Sequence, residues 1–247
     1  MQKIICKDYS EVCLKAADIF AQQLTQKPNT VFGLATGSTP IGLYDEIVRR
    51  SKAGEMDFSH ASAFNLDEYY PIKGNHPQSY KAFMDLHLFS KVKFKSTHIP
   101  NGEAENPHKE CAEYDAAIEF AGGIDLQLLG IGINGHIGFN EPSDVYPIGS
   151  HLTGLTESTL IANSRFFNNS VTSDGVLCEK QPTTALTMGI GPIFQAKHIL
   201  LLITGASKAE ITAKLFEGKL YTNIPACFLL LHPNVTVILD ETANGGG

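Results

Sequence analysis

Thr30-Val31-Phe32-Gly33-Leu34-Ala35 stays apolar for the length of one strand and then breaks into Thr36-Gly37-Ser38-Thr39-Pro40. A short unbroken apolar run has no polar face to give to water, so its first half reads as a strand buried on both sides. Pro40 then opens a helix through about Arg50, at the position where a missing N–H costs least. Strand, glycine turn and helix make one half of a βαβ unit.

The rest of the chain repeats that pattern. Ser62–Leu66, Ile124–Gly130, His198–Thr204, Cys227–Leu231 and Val235–Leu239 are further strand-length apolar runs. Between them lie helix signals. Ser10 is a candidate cap for a helix through Gln26, with Val12, Ala16, Ile19, Phe20 and Leu24 on one face. Ser79 is a candidate cap for a helix through Phe89. Glu105–Ala121 and Ala206–Phe216 read as helices, the latter ended by Gly218. Apolar strands alternating with helices predict an α/β fold whose mostly parallel sheet is covered on both faces. One domain over 1–242 accommodates all of it, and 243–247 reads as a disordered or appended tail.

Composition narrows the function. At 43% apolar and 18% charged residues the chain is an ordinary globular one. A net charge of −7 disfavours nucleic acid and anionic membrane surfaces as partners. The five cysteines, at 6, 13, 111, 178 and 227, are odd in number and form no C-x-x-C pair. They predict reduced thiols in a cytoplasmic protein. The start, Met1 to Val12, lacks the apolar core of a secretory signal, and no apolar run is long enough to span a bilayer.

Parallel sheets bind ligands in the loops beyond the carboxyl ends of their strands. The first such loop offers Thr36, Ser38 and Thr39 hydroxyls, the flexible backbone of Gly37 and a helix N-terminus. These suit a phosphate monoester; the same residues also suit a plain tight turn. Asp67 and Glu68 follow the second strand. A positioned carboxylate such as Asp67 can move a proton between adjacent carbons, although acids also solvate loops. No role is assigned to Glu68.

The loop from Gly130 to Pro142 is the richest. It contains G-x-G-x-x-G at Gly130, Gly132 and Gly135, but Gly138, Asn140 and Pro142 argue against the helix that a dinucleotide fingerprint must open. No nucleotide cofactor is therefore expected. What remains is Asn134, His136 and Glu141 among glycines. Histidine can take and return a proton near neutral pH, and a carboxylate beside it orients the ring. Asp67, His136 and Glu141 are conceivable metal ligands, yet no H-x-x-x-H or H-x-H spacing accompanies them, and no metal is expected. Arg165 and Lys208 are candidate cations for the anion, against the simpler reading of solvated surface charges.

Taken in order, GLATGSTP, FNLDEYY, GINGHIGFNEP, ANSRFF and TGASK resemble the glucosamine-6-phosphate deaminase (isomerase) family, over about Ile4 to Asp240. The resemblance implies a single Rossmann-like, doubly wound domain. It implies conversion of glucosamine 6-phosphate and water to fructose 6-phosphate and ammonia, without metal or coenzyme. Asp67 resembles the base that carries a proton from C2 to C1. His136 resembles the group that opens the sugar ring, with Glu141 as its carboxylate partner and Asn134 completing the set. Thr36, Gly37, Ser38, Thr39, Arg165 and Lys208 resemble the phosphate grip.

Two departures matter. Some members carry aspartate where this chain has Asn134, which leaves Glu141 as the anion supporting His136. Members activated by N-acetylglucosamine 6-phosphate use basic residues where this chain reads Ser150-His151-Leu152-Thr153. With the short stretch after the last strand, this predicts no such activation and a monomer or small homo-oligomer. Ser143–Leu155 is expected to form a lid over the sugar. The alternatives are a 6-phosphogluconolactonase-like hydrolase and a sugar-phosphate-sensing domain of a transcription regulator. The tyrosine after Asp67-Glu68 speaks against the first, and the absence of a DNA-binding segment before Ser10 against the second.

Overall fold

Ten strands form two sheets in a computed structural model that describes residues 1–164 and 181–246. They are β1 (Gln2–Cys6), β2 (Val31–Leu34), β3 (Ser62–Asn65), β4 (Asp67–Tyr70), β5 (Ser96–His98), β6 (Leu126–Leu129), β7 (His151–Gly154), β8 (Thr184–Thr187), β9 (His198–Ile203) and β10 (Val235–Asp240). The helices are α1 (Tyr9–Gln26), α2 (Ile41–Lys52), α3 (Tyr80–Met84), α4 (Pro107–Phe120), α5 (Glu157–Ser164), α6 (Ile190–Phe194) and α7 (Ala209–Phe216). The large sheet has the order β1-β10-β9-β6-β2-β3-β5, with every pair parallel. A small antiparallel sheet has the order β4-β8-β7.

The α/β expectation holds, and helices cover both faces of the large sheet. Its central strands β2 and β6 are buried at every residue, as their unbroken apolar runs require. Close packing there has a particular form. A Cβ on Gly33 of β2 would meet the Gln127 side-chain amide of β6 at 2.0 Å, so glycine is what lets that buried amide lie across the neighbouring strand.

Several local expectations are corrected. Helix α1 begins at Tyr9 and is capped by Asp8, whose Oδ1 accepts from the Glu11 N–H at 2.9 Å; Ser10 falls inside the first turn. Asp and Ser cap about equally well, and Asp8 holds the extended backbone a cap needs. Ser79 does cap α3, accepting from Ala82 N–H at 3.0 Å, but that helix widens into a π turn over Asp85–Phe89. Cys227–Leu231 is not a strand. Pro225 starts a 3₁₀ turn that runs to Leu231; a short apolar run cannot by itself separate the two states. Strands β1, β4, β5, β7 and β8 were not anticipated. Where a tail was expected, Ala243 is fully buried, and the Asn244, Gly245 and Gly246 N–H groups donate to Asp240, Thr242 and Glu241 carbonyls.

The topology places the site. From β2 the chain steps to β3 and β5 on one side, then returns to lay β6, β9 and β10 on the other. The order reverses between β2 and β6, and the carboxyl ends of those strands frame a crevice. At its rim Leu66 joins the two sheets as a single residue between β3 and β4. Its N–H donates to Leu34 O at 3.0 Å, and its carbonyl accepts from Met188 N–H at 2.7 Å.

Candidate active site

A cavity of about 250 Å³ opens at that crevice. Five segments line it: Ala35–Thr39 after β2, Leu66 and Asp67, Tyr80, Gly130–Phe139 after β6, and Lys208 after β9, joined by Thr159 of α5. Nearly all the residues singled out in the sequence therefore meet around one space.

At the first loop, Gly37 takes φ 92°, open to a glycine without strain. Pro40 at the cap position of α2 offers no side-chain bond, and of the helix's first N–H groups that of Gly42 is already taken by a tyrosine hydroxyl. Tyr9 of α1 props the loop from beneath: its hydroxyl donates to Thr39 O at 3.0 Å and accepts from Gly42 N–H at 2.8 Å. Tyr44 fixes the loop's start by donating to Ala35 O at 2.5 Å.

Asp67 follows β3, as its place in the sequence predicts, and itself opens β4. It is only 6% exposed, and among the described residues no hydrogen-bond donor holds its carboxylate. Burial, and then the neighbouring Glu68 charge, push its carboxyl up to about 8. Glu68 points to the other face of β4, as strand alternation demands. It accepts N–H bonds from Tyr69, Tyr80 and Lys81 at 2.8–2.9 Å. Burial raises Glu68 to about 7 against the pull of those donors.

In the glycine-rich loop, Glu141 Oε2 lies 3.3 Å from His136 Nδ1 and accepts from Asn134 Nδ2 at 2.8 Å. The His136–Glu141 contact is at ion-pair distance but off the line of a hydrogen bond, and among the described residues Nδ1 has no hydrogen-bond partner. Asn134 Oδ1 accepts from the His136 backbone N–H at 3.2 Å. Thr159 donates to Glu141 Oε1. Burial alone would raise Glu141; His136, Thr159 and Asn134 outweigh it and hold the carboxyl down at about 2. The ring lies flat on Gly132, where a Cβ would meet its Cε1 and Nδ1 at 2.4 Å. The loop is tied to β8 through Phe139 N–H to Thr187 Oγ1 at 3.1 Å and Asn140 Nδ2 to Met188 O at 2.9 Å.

Lys208 reaches the same cavity from a 3₁₀ turn over Ala206–Lys208. Arg165 lies outside the described residues. The expected lid is corrected. Among the described residues, none of Ser143–Leu155 lines the cavity. That segment is pinned to α4 by Ser150 on Asp115, at 2.8 and 2.5 Å, and to Phe228 by Tyr146.

Two lining residues escaped the sequence reading. Tyr80 packs on Tyr69 and Phe139, with ring centroids at 4.8 and 6.0 Å. Thr159 sits 18 positions after Glu141 in an unremarkable helix. The Ser79 cap, which fixes where α3 begins, was the one available pointer to Tyr80.

The sequence profile of the glucosamine-6-phosphate isomerases/6-phosphogluconolactonase family matches residues 8–143. A glucosamine-6-phosphate deaminase of Thermoanaerobacter pseudethanolicus is 49% identical over 245 residues, covering 98% of this chain and 94% of that protein. A solved structure of a monomeric glucosamine-6-phosphate deaminase is 40% identical and superposes with a TM-score of 0.90 over 100% of both chains. A 6-phosphogluconolactonase from Leishmania guyanensis shares the fold, with a TM-score of 0.77 at 16% identity over 99% of this chain and 98% of that one.

Proposed function

Because this chain belongs to the glucosamine-6-phosphate isomerase/6-phosphogluconolactonase family, we propose that its cavity converts glucosamine 6-phosphate and water to fructose 6-phosphate and ammonia. One observation carries the residue roles. The buried Asp67 carboxylate, which has no hydrogen-bond donor among the described residues, and His136, backed by Glu141, line the same cavity as the Thr36–Thr39 loop and Lys208.

The phosphate occupies the Thr36, Gly37, Ser38 and Thr39 loop, with the positive end of the α2 dipole and Lys208 as its partners, joined by Arg165. Gripping that end fixes the reacting carbons by distance rather than by strong contacts to them. With Nδ1 turned to Glu141, His136 presents Nε2 to the sugar. It takes the O1 proton and returns one to the ring oxygen, so that the C1–O5 bond breaks and a C1 aldehyde forms. Glu141 stabilises the cationic ring this requires, and Asn134 and Thr159 hold Glu141 in place.

Asp67 then removes the C2 proton and delivers it to C1, while a second proton passes from the C2 amine to O1. The aldehyde becomes an alcohol and C2 becomes an imine. Water adds at C2 and ammonia leaves, which gives the ketose. A poorly solvated carboxylate suits this work, because desolvation makes it a stronger base than an exposed one.

The relative described as monomeric supports a monomer for this chain. Four free, buried cysteines support a reducing, cytoplasmic setting. Ser150–Thr153, mostly paired in β7, carry no lysine or arginine, which supports the absence of activation by N-acetylglucosamine 6-phosphate.

A coupled ammonia assay with glucosamine 6-phosphate, galactosamine 6-phosphate and 6-phosphogluconolactone tests the reading. Ammonia release from an amino-sugar phosphate is expected. Lactone hydrolysis without ammonia release would reject it.

A further inference from the structure

Glu68 is left unused by that reaction, yet it is 2% exposed and its carboxylate is fully engaged. Its partners are specific. The Tyr80 and Lys81 N–H groups are the first two of α3, and Ser79 takes the third, that of Ala82. Every orphan donor in that first turn is thus satisfied by β4 or by the cap. The residue so anchored, Tyr80, sends its ring into the cavity, where it packs on Phe139 of the glycine-rich loop and reaches Thr36 of the first loop.

We infer that Glu68 is a positioning residue for the deamination, a strut that holds the Tyr80 ring at a fixed offset from Asp67 while keeping a negative charge beside the base. The inference rests on the proposed reaction and deepens it. Strand geometry supplies the offset: adjacent residues on β4 face opposite ways, so Asp67 meets the sugar while Glu68 meets the helix. Through Tyr80, the base at one end and the phosphate loop at the other are braced against the same side chain.

The electrostatic half follows from the same placement. Asp67 is faced by the Tyr44, Tyr69, Tyr80 and Tyr114 hydroxyls, and by His136 and Lys208 across the cavity. Glu68 itself is faced by His76. Among the described residues Glu68 is the carboxylate that acts on Asp67, and an anion beside another carboxylate makes it hold its proton more tightly. Removing the Glu68 charge therefore shows in the behaviour of Asp67.

The test compares pH profiles of kcat/KM for ammonia release in wild type, Glu68→Gln, Glu68→Asp and Ser79→Ala. Glu68→Gln removes the charge, so the rising limb set by Asp67 is expected to move toward acid by about one pH unit, with kcat down about tenfold. Glu68→Asp keeps the charge but falls a methylene short of Tyr80 and Lys81, so kcat falls while the limb stays. Ser79→Ala weakens the same helix start without touching the charge, so kcat and Tm fall while the limb stays. An unmoved limb in Glu68→Gln, or wild-type kcat in Glu68→Asp, overturns the inference. If Glu68→Gln does not fold, the Glu68→Asp arm decides alone. Wild-type protein that releases no ammonia would instead reject the reaction itself, and the two failures are read apart in the same assay.

Discussion

Two aspartates at opposite ends of the large sheet are buried almost equally and treated in opposite ways. Asp125 precedes β6 at the amino ends of the strands, with its side chain 2% exposed. Lys27 and Lys197 reach it at 2.6 and 2.7 Å, and the Val31 N–H donates at 2.8 Å. Burial would raise this carboxyl, but Lys197, Lys27 and Val31 together bring it below the usual range. Asp67, beyond the carboxyl end of β3, has no donor among the described residues and is pushed up to about 8. The contrast teaches where this fold spends stability. At the closed end a buried charge is neutralised to hold strands together. At the open end it is left unsatisfied, because a base whose lone pairs are already occupied cannot take a proton from carbon.

The largest expected break in this comparison is Asp67→Asn. It should lower kcat about 10³-fold, as loss of a general base does, with affinity for a non-reacting amino-sugar phosphate analogue within about threefold of wild type. Turnover within tenfold of wild type would remove Asp67 from the mechanism. Next, Asp125→Ala should cost about 2 kcal/mol in urea unfolding, a figure reduced because both lysines can return to water, and leave kcat unchanged.

A third measurement concerns pH. The folded state keeps the Asp67 proton up to about 8, whereas the unfolded chain releases it near the ordinary value of about 4. Native stability therefore falls as pH rises between those limits. Asn at 67 has no such slope, so Asp67→Asn should gain stability over wild type between pH 5 and pH 8. Three pH units at about 1.4 kcal/mol each make that gain about 4 kcal/mol. A pH-independent difference would show that Asp67 is solvated in the folded protein. The smallest effect sharpens the contrast with a third buried carboxylate, Glu141, which is satisfied yet lies in the site. Thr159→Val removes one of its donors and should lower kcat about tenfold, with Thr159→Ser restoring it. Equal loss in both variants would make the packing of α5 responsible rather than the hydroxyl.

Legibility in the sequence follows the same division. The buried strands β2, β3, β6, β9 and β10 read as apolar runs because both their faces are covered. The edge strand β1 and the small sheet did not: β1 and β7 are open or half-open to solvent, and β4 and β8, though mostly buried, carry Asp67, Glu68, Thr184 and Thr187, which break an apolar run. The glycine-rich loop was legible because glycines, a histidine and a carboxylate crowd into a few positions. Tyr80 and Thr159 were not, because their approach depends on where α3 and α5 come to rest, which no local spacing encodes. Glu68 was visible as an acid, but its partners are backbone N–H groups 12 and 13 positions away, and these have no sequence signature.

The single-residue seam at Leu66 has a consequence for how this architecture can change. Both peptide groups of that residue are claimed, one by each sheet, so the following position is delivered to the crevice like a tool in a clamped holder. Exchanging the side chain held there alters the chemistry without disturbing its aim. Inserting or deleting one residue beside it would turn the holder to face the wrong way. Variation at this point of the fold is therefore open to substitution and closed to changes in length.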